Sequence, residues 1–248
     1  MENLTSRPKP HLKRDQIIWI VIGLAFFVFG VIRLGPLQFL ATITALVLGI
    51  TVHECSHAWM ANYLGDPTAR LQGRISLNPL RHLDPLGTAM MALTIVTGVG
   101  IGWGKPTPVA PYRLRYGQRL GSALVAIAGP ISNIIMATFF GIWLRLGAIL
   151  PEPLLQILFI IAFMNAILAV FNLLPIPPLD GYSVLIGLIS LIRTQWAWQI
   201  ANTLESFMRY GPIVIIGLIL ATQLLRINVL GVLIGTPATL LIRVITGI

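Results

Sequence analysis

Six stretches of this chain, at roughly 17 to 33, 37 to 64, 120 to 148, 154 to 174, 210 to 226 and 229 to 246, each carry at most one charged side chain. A helix that crosses the hydrocarbon core of a bilayer needs about 20 largely apolar residues. Inside that core the backbone N–H and C=O groups must be satisfied within the protein, which leaves helices as the form for runs of this length. The sequence therefore predicts an all-α polytopic membrane protein with about six transmembrane helices. Of 248 residues 56% are hydrophobic and 10% charged, whereas soluble domains carry about 25% charged residues. One membrane-embedded domain over residues 1–248 is expected.

A seventh apolar stretch, Pro85 to Gly102, is interrupted by Gly87, Gly98, Gly100 and Gly102 and by Thr94 and Thr97. It is expected to re-enter the membrane without crossing it. Behind it, Gly102 to Pro111 contains Pro106, Pro108 and Pro111, which remove donors and push their predecessors toward extended geometry. This short segment is expected to be a strand, hairpin or loop. One use for it is an edge that pairs with an extended substrate backbone; the other is an ordinary interfacial loop.

The net charge of +9 does not indicate nucleic acid, because the cations stand singly at the ends of apolar runs and form no basic stripe. Topology accounts for them. With the N-terminus in the cytoplasm, the cytoplasmic segments collect Arg7, Lys9, Lys13, Arg14, Arg70, Arg74, Arg81, Lys105, Arg113, Arg115, Arg119, Arg193 and Arg209, and the outer ends keep Arg33, Arg145 and Arg226. The first 16 residues are polar and no Ala-x-Ala site follows the first apolar run, so that run is expected to be an uncleaved span. A single cysteine, Cys55, excludes an internal disulfide. Residues 193 to 209, with Trp196, Trp198, Phe207 and Arg209, are expected to lie at the interface.

The chemistry centres on Ile50-Thr51-Val52-His53-Glu54-Cys55-Ser56-His57-Ala58-Trp59. Residues i and i+4 share a helix face, so His53 and His57 can present both imidazoles to one zinc ion, and Glu54 falls beside it at a general-base position. His-Glu-x-x-His alone is only moderately specific. Its setting adds weight, because ionisable groups in a span are costly and are functional by default. The bland alternative, polar groups bonding neighbouring helices, is served more cheaply by Ser, Thr or Asn.

A catalytic zinc site takes three protein ligands, and Ala58 to Gly65 supplies no further histidine. Asp66, His82 and Asp84 lie in the polar segment beyond the helix, as solvated, capping or secondary groups. Asp180 is the better candidate. It follows Asn172-Leu173-Leu174-Pro175-Ile176-Pro177-Pro178-Leu179, where an apolar span breaks at three prolines and a new helix begins. Asp also caps helices, but broken helices at membrane depth line cavities.

His53-Glu54-x-x-His57, Ala128-Gly129-Pro130-Ile131-Ser132-Asn133, Asn172 and Leu179-Asp180-Gly181 together resemble the site-2 protease family of intramembrane metalloproteases over residues 37 to 192. Gly73 to Thr88 and Trp103-Gly104-Lys105-Pro106 are similar to its compact bacterial and archaeal subgroup, which implies a prokaryotic cell membrane. No polar stretch is long enough for an inserted PDZ domain, and a C-terminal nucleotide-sensing domain is not expected. The resemblance implies a three-helix catalytic core, one zinc ion per chain held by His53, His57 and Asp180, Glu54 as acid/base and access from the cytoplasmic side. It further implies that Asn172 holds the substrate backbone or oxyanion, with Asn133 as a second substrate-binding or packing amide. Partners would be transmembrane protein or peptide substrates and the lipid bilayer, with no nucleic acid and an unspecified oligomeric state. A metal-ion or proton transporter is the competing reading, and an inactive zinc-stabilised scaffold a further one.

Overall fold

The computed structural model describes residues 14–97, 103–145, 149–225 and 231–247, and these are helical apart from short connectors. Helix α1 (Arg14–Leu34) turns back through Gly35 into α2 (Pro36–Tyr63). Gly35 has φ +80°, a conformation glycine adopts without steric cost, and Pro36 starts α2 where no donor is lost. Phe39 locks the hairpin by packing on Phe26 and Phe27, both with ring centroids 5.5 Å away.

A polar connector follows, with the one-turn α3 (Thr68–Leu71) and a 3₁₀ turn at Pro79–Arg81, and leads into α4 (Pro85–Thr97). The described part of α4 is 13 residues long, and 98–102, the rest of the stretch expected to re-enter the membrane, lie outside the described residues. Residues 103–110 contain no helix, and Leu83 and Gly104 form an isolated antiparallel bridge. This stretch is the strap.

The remaining helices are α5 (Gln118–Leu144), α6 (Glu152–Asn172), α7 (Asp180–Ser190), α8 (Gln195–Phe207), α9 (Gly211–Leu225) and α10 (Thr236–Thr246), the last preceded by a π turn at Gly231–Gly235. Four helical runs are long and apolar enough to cross a membrane: Pro36–Tyr63, Gln118–Leu144, Glu152–Asn172 and Gln195–Thr222. The protein is thus an integral multi-pass membrane protein. The expected ranges 17–33, 37–64, 120–148 and 154–174 match α1, α2, α5 and α6 to within about four residues, while α10 begins seven residues after the expected start of 229–246; 146–148 and 226–230, which include the ends of three expected spans, lie outside the described residues.

At the centre, α5 packs against α2, α6 and α7, and α2 against α6. The facing surfaces are built of small residues, such as Ala45 and Gly49 on α2, Ala123 and Gly129 on α5, and Ala162 and Ala166 on α6. Lipid-embedded helices gain little from burying Leu against Leu, so close backbone approach drives their packing. Larger side chains of α5 point outward instead: Ile131, Ile135, Phe139 and Ile142 are exposed along one face. The break at Pro175–Pro178 makes α6 and α7 separate rods, so the core has four helical segments rather than three unbroken ones.

Helix α8 packs on α7. Its Ala201 packs on Tyr182 and Ile186 of α7, and Glu205 bonds Arg119 of α5 (Nε–Oε1 2.7 Å, Nη2–Oε2 2.9 Å). Trp196 and Trp198 remain exposed.

Candidate metal centre

Histidines 53 and 57 fall one turn apart on α2 and are both buried. His57 is six residues before Tyr63, where α2 ends, so the pair sits about 9 Å from that helix end. The prolines that end α6 let α7 start close by, with Asp180 as its first residue. Gly181 permits this approach: a Cβ there would come 2.6 Å from the Leu174 carbonyl oxygen.

The three side chains converge. Asp180 Oδ2 lies 3.1 Å from His53 Nε2 and 3.3 Å from His57 Nε2, and the two Nε2 atoms are 3.0 Å apart. Oδ2 is buried without a hydrogen bond. Each imidazole has its other nitrogen committed. His57 Nδ1 is 2.8 Å from the Val125 carbonyl, and His53 Nδ1 is 2.6 Å from Asn133 Oδ1. Both partners are oxygens that only accept, so each Nδ1 carries the proton and donates, and each Nε2 turns a lone pair inward. Two nitrogen lone pairs and a carboxylate oxygen facing one another form a donor set for a divalent cation, and two imidazoles with one carboxylate suit zinc. This is a group of three potential ligands found among the described residues.

Gly129 on α5 closes the cradle. A Cβ at this position would lie 2.5 Å from His57 Nε2 and 2.6 Å from His53 Cε1. Pro130 beside it removes one i→i−4 bond from α5.

Glu54 sits between the cluster and the strap, half-buried. Thr107 Oγ1 donates to Glu54 Oε2 at 2.8 Å and lies 3.0 Å from the Glu54 carbonyl. The strap is held from behind by buried Arg74, which donates to the carbonyls of Lys105 (2.7 Å), Pro106 (2.5 Å) and Arg81. The Lys105 amide donates to His82 O at 2.6 Å. At its far end the Ala110 amide donates to Asp66 Oδ2 at 2.6 Å, and Asp66 Oδ1 accepts from the Thr68 amide and hydroxyl at 3.0 and 2.5 Å. Burial pushes the Asp66 carboxyl up, but the bonds from Ala110 and Thr68 outweigh it and hold the group below the usual carboxylate range.

Asp66 and His82 are therefore not solvated, as expected for this polar segment, but fully buried. A connector that folds back on itself has to satisfy its own backbone groups. Asp84 does cap, accepting from the Gly87 amide at 2.8 Å. None of the three joins the cluster. Asn172 donates from its amide to Leu168 O at 2.9 Å within its own helix. Asn133, expected to touch substrate or pack helices, is fully buried, with its amide nitrogen on Gly49 O (3.1 Å) and Asn165 Oδ1 (2.9 Å) and its oxygen toward His53. These contacts are those of the packing amide that was one of its two expected roles. Sequence reasoning missed Thr107, Arg74 and Asn165. Only Asn165 carried a usable signal, as an amide in the middle of an apolar span.

The profile of Peptidase family M50 matches residues 146–216, a stretch that contains Asp180 but neither histidine. "Putative zinc metalloprotease YwhC" of Bacillus subtilis is 40% identical over 156 residues, which cover 59% of this chain and 68% of that protein. "Putative zinc metalloprotease Rip2" of Mycobacterium tuberculosis is 30% identical over 152 residues, 59% of this chain and 56% of that protein. "Putative zinc metalloprotease MJ0611" of Methanocaldococcus jannaschii is 44% identical over 62 residues, 25% of this chain and 31% of that protein. The match thus spans about two thirds of the Bacillus relative and little over half of the mycobacterial one. No solved structure matches.

Proposed function

Because this chain belongs to peptidase family M50 and is an intramembrane zinc metalloprotease, we propose that it cuts peptide bonds within or beside transmembrane segments of membrane proteins, with His53, His57 and Asp180 holding one zinc ion and Glu54 moving the proton. The observation that carries this reading is the convergence of two Nε2 atoms and Asp180 Oδ2 within 3.3 Å beside the one carboxylate placed for a base. When bound, zinc supplies a Lewis acid that polarises a carbonyl and acidifies water to a pKa near about 7.

The protein's own groups do the rest. Thr107 holds Glu54 Oε2, which leaves Oε1 to take the proton of the attacking water. Gly104 lets the strap run close to α2, since a Cβ there would come 2.8 Å from Ile50 Cγ2. As the water oxygen bonds to the carbonyl carbon, the C–N bond breaks and Glu54 returns the proton to the leaving amine. Asn172, at the end of α6, is the amide proposed to hold the substrate backbone or the oxyanion.

A transmembrane helix hides its carbonyls in its own hydrogen bonds, so substrates must unwind locally before cleavage. The strap, anchored from behind by Arg74 and Asp66, offers such an opened segment an extended rail beside Glu54. Residues 1–248 serve as one membrane-embedded domain with a catalytic core at about 37–192, in a prokaryotic cell membrane. The N-terminus is cytoplasmic and the site opens to that side, which the clustering of Arg70, Arg74, Arg81, Lys105, Arg113 and Arg115 on the connectors nearest the cluster supports. The apolar runs at 17–33 and 229–246 complete six spans around the four helical runs described above.

The test is Glu54→Gln in purified protein with a single-span reporter. Zinc content should stay at one per chain while cleavage falls by a factor of at least about 10² to 10⁴. Full cleavage with zinc bound would remove Glu54 from the mechanism, and zinc flux without cleavage in the wild type would favour transport.

A further inference from the structure

The cluster leaves one buried group on α6 unused. Asn165 is fully buried, and it sits in the middle of an otherwise apolar helix. An amide at that depth is costly to bury, and its two ends are not equivalent. Its Nδ2 donates to the Ile161 carbonyl at 2.9 Å, while its Oδ1 accepts from Asn133 Nδ2 at 2.9 Å.

We infer that Asn165 is a positioning residue for the metal site: through Asn133 it determines which nitrogen of His53 faces the metal. The argument is one of hydrogen-bond polarity. The Ile161 carbonyl can only accept, so Asn165 must present its nitrogen there and its oxygen to α5. That oxygen can only accept as well, so Asn133 must present its nitrogen to α6, where the Gly49 carbonyl also takes it at 3.1 Å. Asn133 is then left with its oxygen toward His53, 2.6 Å from Nδ1. An acceptor at that point holds the proton on Nδ1 and frees Nε2 as the lone pair that meets Asp180 Oδ2. A flipped Asn133 would set an N–H against Nδ1, move the proton to Nε2 and remove His53 from the donor set.

The backbone is shaped for this relay. Gly49 on α2 stands where the amides cross, and a Cβ there would be 3.1 Å from Asn165 Oδ1 and 3.6 Å from Asn133 Nδ2. His57 has a simpler arrangement, since its Nδ1 donates directly to a backbone carbonyl that cannot flip. His53 lacks such a carbonyl and uses a side-chain amide, whose direction is set by two acceptors, the Gly49 carbonyl at 3.1 Å and the nearer Asn165 Oδ1 at 2.9 Å.

This inference rests on His53 being a metal ligand, so the experiment separates the two claims. Co2+ and Zn2+ affinities of the apoprotein, with the visible Co2+ spectrum, are compared for wild type, Asn165→Leu, Asn133→Asp and the double variant. Asn165→Leu keeps the number and branching of the side-chain heavy atoms and loses the polarity. It should weaken metal binding by about tenfold, the lower end of what partners of metal ligands are worth, and shift the Co2+ bands. In Asn133→Asp both ends of the side chain accept, so orientation no longer needs a guide. Adding Asn165→Leu to that background should therefore cost almost nothing.

Equal loss in both backgrounds would overturn the relay and reduce Asn165 to packing, and so would an unchanged affinity and spectrum in Asn165→Leu. A wild-type protein that binds no stoichiometric Co2+, or whose binding survives His53→Ala, would overturn the metal reading and the relay with it. If Asn165→Leu does not fold, Asn165→Ser replaces it with the same two outcomes. Its hydroxyl still bonds the carbonyl one turn back but is too short to reach α5.

Discussion

The metal cluster and the strap are both built from residues far apart in sequence, yet they are held in different ways. His53, His57 and Asp180 ride on helices packed through small residues, and their orientation comes from oxygens on α5 and from the start of α7. The strap has no regular structure to hold it. Its shape depends on one buried guanidinium and one buried carboxylate that bond its backbone directly. Packed helices fix the side chains of the cluster from several sides, whereas the strap is held from one side by bonds to its backbone. Glu54 belongs to both, on the helix of the ligands and under the hydroxyl of Thr107.

If the cluster is limited by steric fit and the strap by hydrogen bonds, the two should fail differently. The largest effect is expected for Gly129→Ala, whose added methyl would meet both imidazoles. Overpacking of this kind costs about 1–3 kcal/mol, or roughly tenfold to a hundredfold in zinc affinity. Reporter cleavage should fall with zinc content and recover in excess zinc; normal zinc affinity in the variant would break the steric account.

Arg74→Ala comes next and should leave the cluster alone. Each buried carbonyl that loses its donor costs about 1–3 kcal/mol, so amide exchange at Lys105 and Ala110 should speed up by tenfold or more while zinc content stays at wild type. Loss of zinc in this variant would show that strap and cluster are one unit.

The smallest effect is expected at Asp66, and it depends on pH. Its carboxyl is held below the ordinary range in the folded protein, so the folded state favours the ionised form. The stabilisation is complete above the unfolded value of about 3.9 and is lost as pH falls through it toward the lower folded value. Protection of the Ala110 amide, its exchange rate relative to the intrinsic rate at each pH, should therefore fall on acidification in the wild type, and Asp66→Asn should be less protected at neutral pH and flatter against pH. An equal pH response in both would remove Asp66 as the anchor.

Much of the fold was legible because membrane helices announce themselves by length and apolarity. Pro36, Pro175, Pro177 and Pro178 mark helix starts and breaks through the donor they lack. The i,i+4 spacing likewise put His53 and His57 on one face before any contact was known. Asn133 was left with two roles because a polar residue in an apolar helix shows only that it needs partners, and its contacts with Gly49, Asn165 and His53 lie with the neighbouring helices. Asp66 and His82 were left as solvated, capping or secondary groups because a polar segment does not reveal which of its side chains turn inward to satisfy the backbone of a compact connector.

By itself, the sequence determined the membrane setting, the helix boundaries, the His-Glu-x-x-His face and the break that carries Asp180, since all of these follow from local periodicity and backbone chemistry. Only the tertiary structure decided that Asp180 Oδ2 meets both Nε2 atoms, that Thr107 rests on Glu54, that Arg74 holds the strap and that Asn165 stands behind Asn133. Those contacts span 31 to 127 residues of chain. They depend on how closely Gly49, Gly129 and Gly181 let the helices approach, which is a property of packed backbones and not of any local run of residues.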